Sequence, residues 1–156
     1  MFEIDIPGFG QVKLKYLASD FTGTLSMHGR LVPGVKELLN RVAVILDIHV
    51  LTADTFGTAR SELAGVACRV HMLAGNNEDA QKEAYVQNLG AENVIALGNG
   101  NNDRKMLKAA RIWIAVCLKE GCALEAALSA NILMTSATDA LELLLQDKRL
   151  KATLRY

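Results

Sequence analysis

Hydrophobic and polar positions alternate along the first nineteen residues and then give way to a longer rhythm. "FEIDI" and "QVKLKYLAS" both alternate, with "PGFG" between them as a turn, so residues 1–19 predict a β-hairpin leading into a first core strand. Beyond Asp20, short apolar runs are each followed by a segment of helical period. In "PGVKELLNRV", Val35, Leu38, Leu39 and Val42 share one helix face, with Pro33 near the start. "AVILDIHVL" predicts a strand, "TFGTARSELAG" a helix closed by Gly65, and "CRVHML" a short strand. "NEDAQKEAYVQNLG" predicts a helix with acids in its first turn and Gly90 at its end. "NVIALG" reads as a strand and "NNDRKMLKAA" as a helix, and "RIWIAVC", "GCALEAALSA", "NILMT" and "SATDALELLLQ" continue the alternation.

Strands alternating with helices place the chain in the α/β class. The expected architecture is three-layered and Rossmann-like: a mostly parallel sheet with helices on both faces, plus the N-terminal hairpin. With 156 residues and no linker, repeat or low-complexity tract, residues 1–156 are expected to form a single domain. Such sheets bind ligands beyond the carboxyl ends of their strands, near the switch in strand order. Working residues should therefore follow strands directly.

Composition removes several classes of function. Seventeen basic residues balance seventeen acidic ones, so nothing in the net charge suggests a nucleic-acid surface. The apolar run "RVAVILDIHVL" is interrupted by Arg41, Asp47 and His49 and falls short of the roughly 20 residues that span a bilayer. The N-terminus has no basic segment of a secretory signal. Cys68, Cys117 and Cys122 show no C-x-x-C spacing and read as reduced, buried thiols of a cytoplasmic protein.

Four polar features stand at strand or helix ends. Asp20 closes "YLAS" and is followed by Thr22, Gly23 and Thr24; a carboxylate there could act as a nucleophile toward phosphorus. Thr52 ends "HVLT", where a hydroxyl and a free backbone N–H could hold a phosphoryl oxygen. Lys82 lies inside a helix and could neutralise phosphate as a point charge. In "IALGNGNNDRKML", two glycines and several asparagines precede Asp103, a composition suited to a hard cation. Singly, each has an ordinary structural reading: a turn acid, a helix cap, a solvated lysine pairing with Glu78, and a capping acid.

Together, the four resemble the haloacid dehalogenase (HAD) superfamily of phosphatases and phosphotransferases. The match is strongest to the phosphorylation domain of P-type cation pumps and to small soluble P-type-ATPase-like proteins. The pumps' Asp-Lys-Thr-Gly-Thr stands against "DFTGT", and their Thr-Gly-Asp against "TAD", Thr52 to Asp54. Their lysine segment running into Gly-Asp-Gly-x-Asn-Asp stands against "KEAYVQNLGAENVIALGNGNND". The resemblance implies an Mg²⁺-dependent phosphohydrolase with an aspartyl-phosphate at Asp20. Asp20 itself would touch the metal and Thr22 would give its carbonyl to it, with Asp103 as the chief metal carboxylate and Asn99 beside it. Thr52, Ala53, Lys82 and Gly23 would hold the phosphoryl group, and Asn102 would be auxiliary.

Two positions depart from the pattern. Thr22 stands where most phosphatases of the superfamily carry a second Asp as general acid and base, so turnover is expected to be slow. Asn99 stands where the pumps carry an Asp, removing a charge from the metal site. The gaps between Asp20, Thr52 and Lys82 hold no cap domain and no nucleotide-binding domain, which leaves "SMHGRLVPG" as a flap with His28 and Arg30 nearest a substrate. The expected ligand is a phosphorylated small molecule or nucleotide, with no nucleic acid and no membrane. The alternative is a catalytically weak regulatory or binding module that keeps the site. Two arrangements of the hairpin stay open: docking on the chain's own helices, or packing against other copies in a homo-oligomer.

Overall fold

The computed structural model describes residues 1–156. Strands β1 (Phe2–Ile6) and β2 (Gly10–Leu14) pair antiparallel, Phe2 opposite Leu14 and Ile6 opposite Gly10. The chain then enters β3 (Tyr16–Ser19), the short antiparallel pair β4 (Ser26–Met27) and β5 (Arg30–Leu31), and α1 (Val35–Val42). Next come β6 (Asp47–Thr52), α2 (Ala59–Glu62), β7 (Cys68–Met72) and α3 (Glu78–Leu89). The remainder is β8 (Val94–Gly98), α4 (Arg104–Ala109), β9 (Ile112–Val116), α5 (Leu124–Ser129), β10 (Ile132–Met134), α6 (Ala137–Leu144) and α7 (Asp147–Leu154).

Six strands form one sheet in the order β10-β9-β8-β3-β6-β7, every neighbouring pair parallel. This is the expected Rossmann-like class. The chain builds outward from β3 through β6 and β7, then returns to the other side of β3 with β8. The switch in strand order therefore falls at β3, and Asp20 is the residue that follows it.

Strand periodicity divides the core into two layers. Leu17, Val50, Leu97 and Ile114 pack with α1 and α6 on one face. Their chain neighbours Ala18, Leu51, Ala96 and Trp113 pack with residues of α3 and α4 on the other. Covered on both sides, β8 and β9 are buried along their whole length, which is why "VIALG" and "IWIAV" read as continuous apolar runs.

The hairpin docks on its own chain. Ile6, Val12 and Leu14 are buried. Phe2 and Leu14 meet Leu46, Leu144 and Leu150 beneath it, the last from α7, a helix not anticipated from the sequence. The Tyr156 N–H donates to the Pro7 carbonyl at 3.0 Å. Arg111 places its guanidinium carbon 4.4 Å from the Phe9 ring centroid and donates to the Phe9 carbonyl.

Three expectations require correction. The strand expected from Ala43 begins at Asp47, because residues 43–46 continue the turns that close α1, with Leu46 N–H donating to Val42. The helix expected from Thr55 to Gly65 shrinks to α2. The Gly57 N–H folds back on the Asp54 carbonyl, and Asp54 Oδ1 accepts from the Thr58 and Ala59 N–H groups, so the helix starts late. The three thiols are half-buried and unpaired, not fully enclosed.

Only β4, β5 and α1 separate β3 from β6, and only α2 and β7 separate β6 from α3, so no cap covers the sheet edge. No helix is long and apolar enough to cross a membrane.

Candidate active site

Three charged side chains from three segments meet at the carboxyl edge. The Asp20 N–H donates to the Leu97 carbonyl at 3.0 Å, extending the ladder from β3 to β8 and fixing the backbone that carries the carboxylate. From α3, Lys82 reaches under the sheet edge with its side chain wholly buried. Its Nζ donates to Asp20 Oδ1 at 2.8 Å and to Asp103 Oδ1 at 2.6 Å. The ordinary reading of Lys82 as a solvated partner of Glu78 is overturned; Glu78 accepts from Asn102 instead.

Asp103 reaches this position because Gly98 has no side chain. A Cβ on Gly98 would lie 2.6 Å from the Asp103 Cβ. The second oxygen of Asp103 accepts from the Asn99 and Gly100 N–H groups at 2.9 and 3.0 Å. Both oxygens are thus engaged by protein donors, which makes Asp103 an anchor for Lys82 and for the glycine loop.

Two carboxylates share one ammonium in a dry setting, and their protonation reflects it. Burial, with the Asp103 charge adding to it, pushes Asp20 up to about 7 against the opposing pull of Lys82. Burial alone would lower Lys82, but the two carboxylates override it and hold the ammonium above its ordinary value.

The remaining expected residues surround this cluster unequally. Thr24 is buried, and its hydroxyl lies 3.4 Å from Asp20 Oδ2 and 3.1 Å from Asn99 Oδ1. Thr52, also buried, accepts at its Oγ1 from the Asp54 N–H, which leaves its hydroxyl proton to donate elsewhere. The N–H groups of Thr22 and Ala53 find no acceptor within the protein. Gly23 differs from expectation: its N–H is committed to the Ser26 carbonyl at 3.0 Å. Its contribution is space and a φ of +77°, since a Cβ there would stand 2.7 Å from both Asn99 Nδ2 and Glu120 Oε2.

The flap is tethered away from free motion. Thr58 donates to the Gly29 carbonyl, and the Leu31 N–H donates to Glu62 of α2. His28 is exposed at its tip with a φ of 53°, and Arg30 is exposed beside it; neither touches the charged cluster. Asn102 is exposed and lines a cleft of about 590 Å³ with Asn76, Asn77, Glu78 and Arg104, a lining without a hydrophobic residue.

Sequence reasoning missed Glu120. It lies in the loop after β9, far in sequence from every motif, and only the three-dimensional proximity to Gly23 and Asn99 brings it out.

Magnesium favours hard oxygen donors and retains several waters. The site offers Asp20 Oδ2, Asn99 Oδ1 and the Thr22 carbonyl, which accepts no hydrogen bond within the protein. No three His, Cys, Asp or Glu side chains converge on one point, so one or two carboxylates with neutral oxygens are what the chain supplies. That donor set fits a small hard cation completed by water and phosphate.

No family model matches the chain. Among solved structures, the cobalt-bound deoxy-D-mannose-octulosonate 8-phosphate phosphatase of Haemophilus influenzae superposes with a TM-score of 0.70 at 13% identity, covering 90% of each chain. The corresponding phosphatase of Moraxella catarrhalis, solved with magnesium ion, phosphate ion and a KDO molecule, gives 0.64 at 16% identity over 91% of this chain and 94% of that one. A zinc-transporting P-type ATPase gives 0.62 at 21% identity, covering 79% of this chain and 20% of the pump. These likenesses show the fold, shared by HAD phosphatases and a pump domain alike. In sequence, the uncharacterized protein MJ0073 of Methanocaldococcus jannaschii is 42% identical over 83 residues, 51% of this chain and 89% of the relative. The chain therefore belongs to one family with this archaeal protein, on the fold of the HAD phosphatases.

Proposed function

We propose that the chain is an Mg²⁺-dependent phosphohydrolase that passes a phosphoryl group through Asp20. The observation that carries this reading is Lys82, buried without exposure and bridging Asp20 to Asp103 at the switch point of the sheet. Burying an ammonium and two carboxylates costs several kcal/mol per ion before pairing offsets it. A purely structural core gains little from such a cluster at a ligand-binding edge.

In the proposed reaction, the Asp20 carboxylate attacks phosphorus through one of its oxygens and the ester P–O bond breaks. The leaving oxygen takes a proton from solvent. Water then attacks the aspartyl-phosphate, releasing inorganic phosphate and restoring the carboxylate. Lys82 neutralises charge as the phosphoryl group arrives, while the Thr52 hydroxyl and the Thr22 and Ala53 N–H groups are suited to its oxygens. Asp20, Asn99 and the Thr22 carbonyl would hold Mg²⁺, which supplies charge neutralisation between the two anions and keeps Asp20 ionised. A related precedent is the phospho-aspartyl intermediate analogue solved for a phosphoserine phosphatase, with a TM-score of 0.60 at 16% identity.

Thr22 cannot serve as acid or base near neutral pH, so hydrolysis of the intermediate is the slow step in this reading. The proposed substrate is a phosphorylated small molecule or nucleotide. The unpaired thiols agree with a reducing, cytoplasmic setting.

Release of p-nitrophenol from p-nitrophenyl phosphate tests the reading. Turnover should require Mg²⁺ and vanish in Asp20→Asn. Thr22→Asp should raise it, by at most about 10²–10⁴-fold, the usual worth of acid–base help. Phosphate binding without turnover in the wild type and in Thr22→Asp would favour the regulatory-module alternative.

A further inference from the structure

The loop between β9 and α5 is fastened to Asn99 at two points. Asn99 Nδ2 donates to the Gly121 carbonyl at 3.3 Å, and the Ala123 N–H donates to the Asn99 carbonyl at 2.7 Å. Gly121, with a φ of +82°, and the bond from its N–H to Leu118 shape the turn that presents Glu120. Glu120 Oε2 and Asn99 Nδ2 both lie 2.7 Å from the place a Gly23 Cβ would occupy. The carboxylate makes no ion pair and accepts no side-chain hydrogen bond. It is exposed and stands beside Asn99 and the turn that follows Thr22.

We propose that Glu120 is the second carboxylate of the cation site, supplying from a neighbouring loop the charge that Asn99 lacks. The inference rests on the phosphohydrolase reading only for the identity of the cation. Three observations converge on it. Asp103, the other acid of the site, has both oxygens occupied by Lys82 and by backbone N–H groups. Asp20 has a single oxygen outside the Lys82 bond, and that oxygen meets only the Thr24 hydroxyl at 3.4 Å. Glu120, beside Gly23 and Asn99, is a carboxylate with no ion pair and no hydrogen-bond donor of its own.

The amide at position 99 also acquires a reason. A carboxylate there would face the Gly121 carbonyl it now donates to, and would crowd the Glu120 charge. Asparagine keeps an oxygen on the Thr24 side and uses its NH₂ to hold the loop that brings Glu120. The charge has in effect moved from one loop to the next, and the two positions are coupled.

The probe is Mn²⁺, titrated into the full chain while the free ion is followed by electron paramagnetic resonance, so that binding is read without turnover. Glu120→Gln should weaken Mn²⁺ binding by roughly 10–100-fold, the range seen when a partner of a metal site is removed. Glu120 is an exposed loop residue, and unchanged circular dichroism and Tm would show that the fold is intact. Asn99→Asp should fail to tighten binding in the wild type, yet recover about tenfold or more in the Glu120→Gln background, the non-additivity expected of two groups serving one ion. Glu120→Gln binding within about twofold of wild type, or Asn99→Asp tightening both backgrounds equally, would overturn the assignment. Failure of the site as a whole shows differently: Mn²⁺ binding undiminished in Asp20→Asn sinks the phosphohydrolase reading together with Glu120.

Discussion

Asp20 and Asp103 compete for a single ammonium, and the competition has a measurable cost without metal. The folded chain holds the Asp20 proton more tightly than the unfolded chain does, since its carboxyl moves from 3.8 up to about 7 through burial and the Asp103 charge. For a group shifted upward, the stabilising contribution is full below the unfolded value and is lost as pH rises through the folded one. Stability from this site should therefore decline between about pH 4 and pH 7. Lys82 stays protonated across that window and adds no slope. Asp20→Asn cannot ionise and keeps the Lys82–Asp103 bond, so in chelator it should match the wild type near pH 4. At pH 8 it should be more stable, by a few kcal/mol. Denaturant titrations at the two pH values, with and without Mg²⁺, check this, and Mg²⁺ should narrow the gap. A wild type as stable as the variant at pH 8 in chelator would refute it. Asp20 and Asp103 were legible because both follow predicted strands. The depth of Lys82 was not, since helical spacing to Glu78 looks the same whether a lysine faces water or carboxylates. His49, which interrupts an apolar run in the sequence, is buried as well, with Nδ1 2.8 Å from the Tyr85 hydroxyl.

At the scale of elements, strands were easier to locate than the segments that connect them. β8 and β9 follow from apolar runs, because both sheet faces are covered and each run must be apolar to be buried. The edge strand β7 instead alternates half-buried Cys68, Val70 and Met72 with exposed Arg69 and His71. Helix α3 is marked by the acids of its first turn and Gly90 after its end. The start of α2 depends on Asp54 reaching forward to two N–H groups, a side-chain choice that a "TAD" motif does not announce. The C-terminal α7 escaped notice because "DKRLKATL" buries only Leu150 and Leu154. Those two residues nevertheless help the hairpin find its surface. Ile6, with no exposure, lies in the same core cluster as Leu144 and Leu150. Ile6→Ala should therefore cost about 2–5 kcal/mol, as for a core aliphatic side chain. Removing residues 1–12 should lower Tm by uncovering Leu46, Leu144 and Leu150. Urea midpoints provide the check, and a loss under about 1 kcal/mol for Ile6→Ala would mean that the hairpin is not part of the core.

Across the whole molecule, a parallel sheet that reverses its strand order at β3 brings its chemistry to one edge. Asp20 follows β3, Thr52 ends β6, the glycine loop and Asp103 follow β8, and Glu120 follows β9. Four neighbouring strands thus each deliver one or more polar groups, with Lys82 rising from α3 to neutralise two of them. The order Asp, Thr, Lys, Asp was readable along the chain because three of the four follow strand runs, with Lys82 inside the helix between them. Glu120 was not, because its loop belongs to no motif and gains meaning only from where β9 sits beside β8. With no cap over this edge, everything turns on what Asp20 does with a phosphoryl donor. The direct measurement is to mix the chain with Mg²⁺ and a reactive acyl phosphate, quench in acid, and map the phosphate by peptide mass spectrometry. A phosphoryl-transfer role for Asp20 predicts one acid-stable, alkali-labile phosphate on the peptide containing it, absent from Asp20→Asn and from samples with chelator. Phosphate on another residue, or none in the wild type under these conditions, would contradict it.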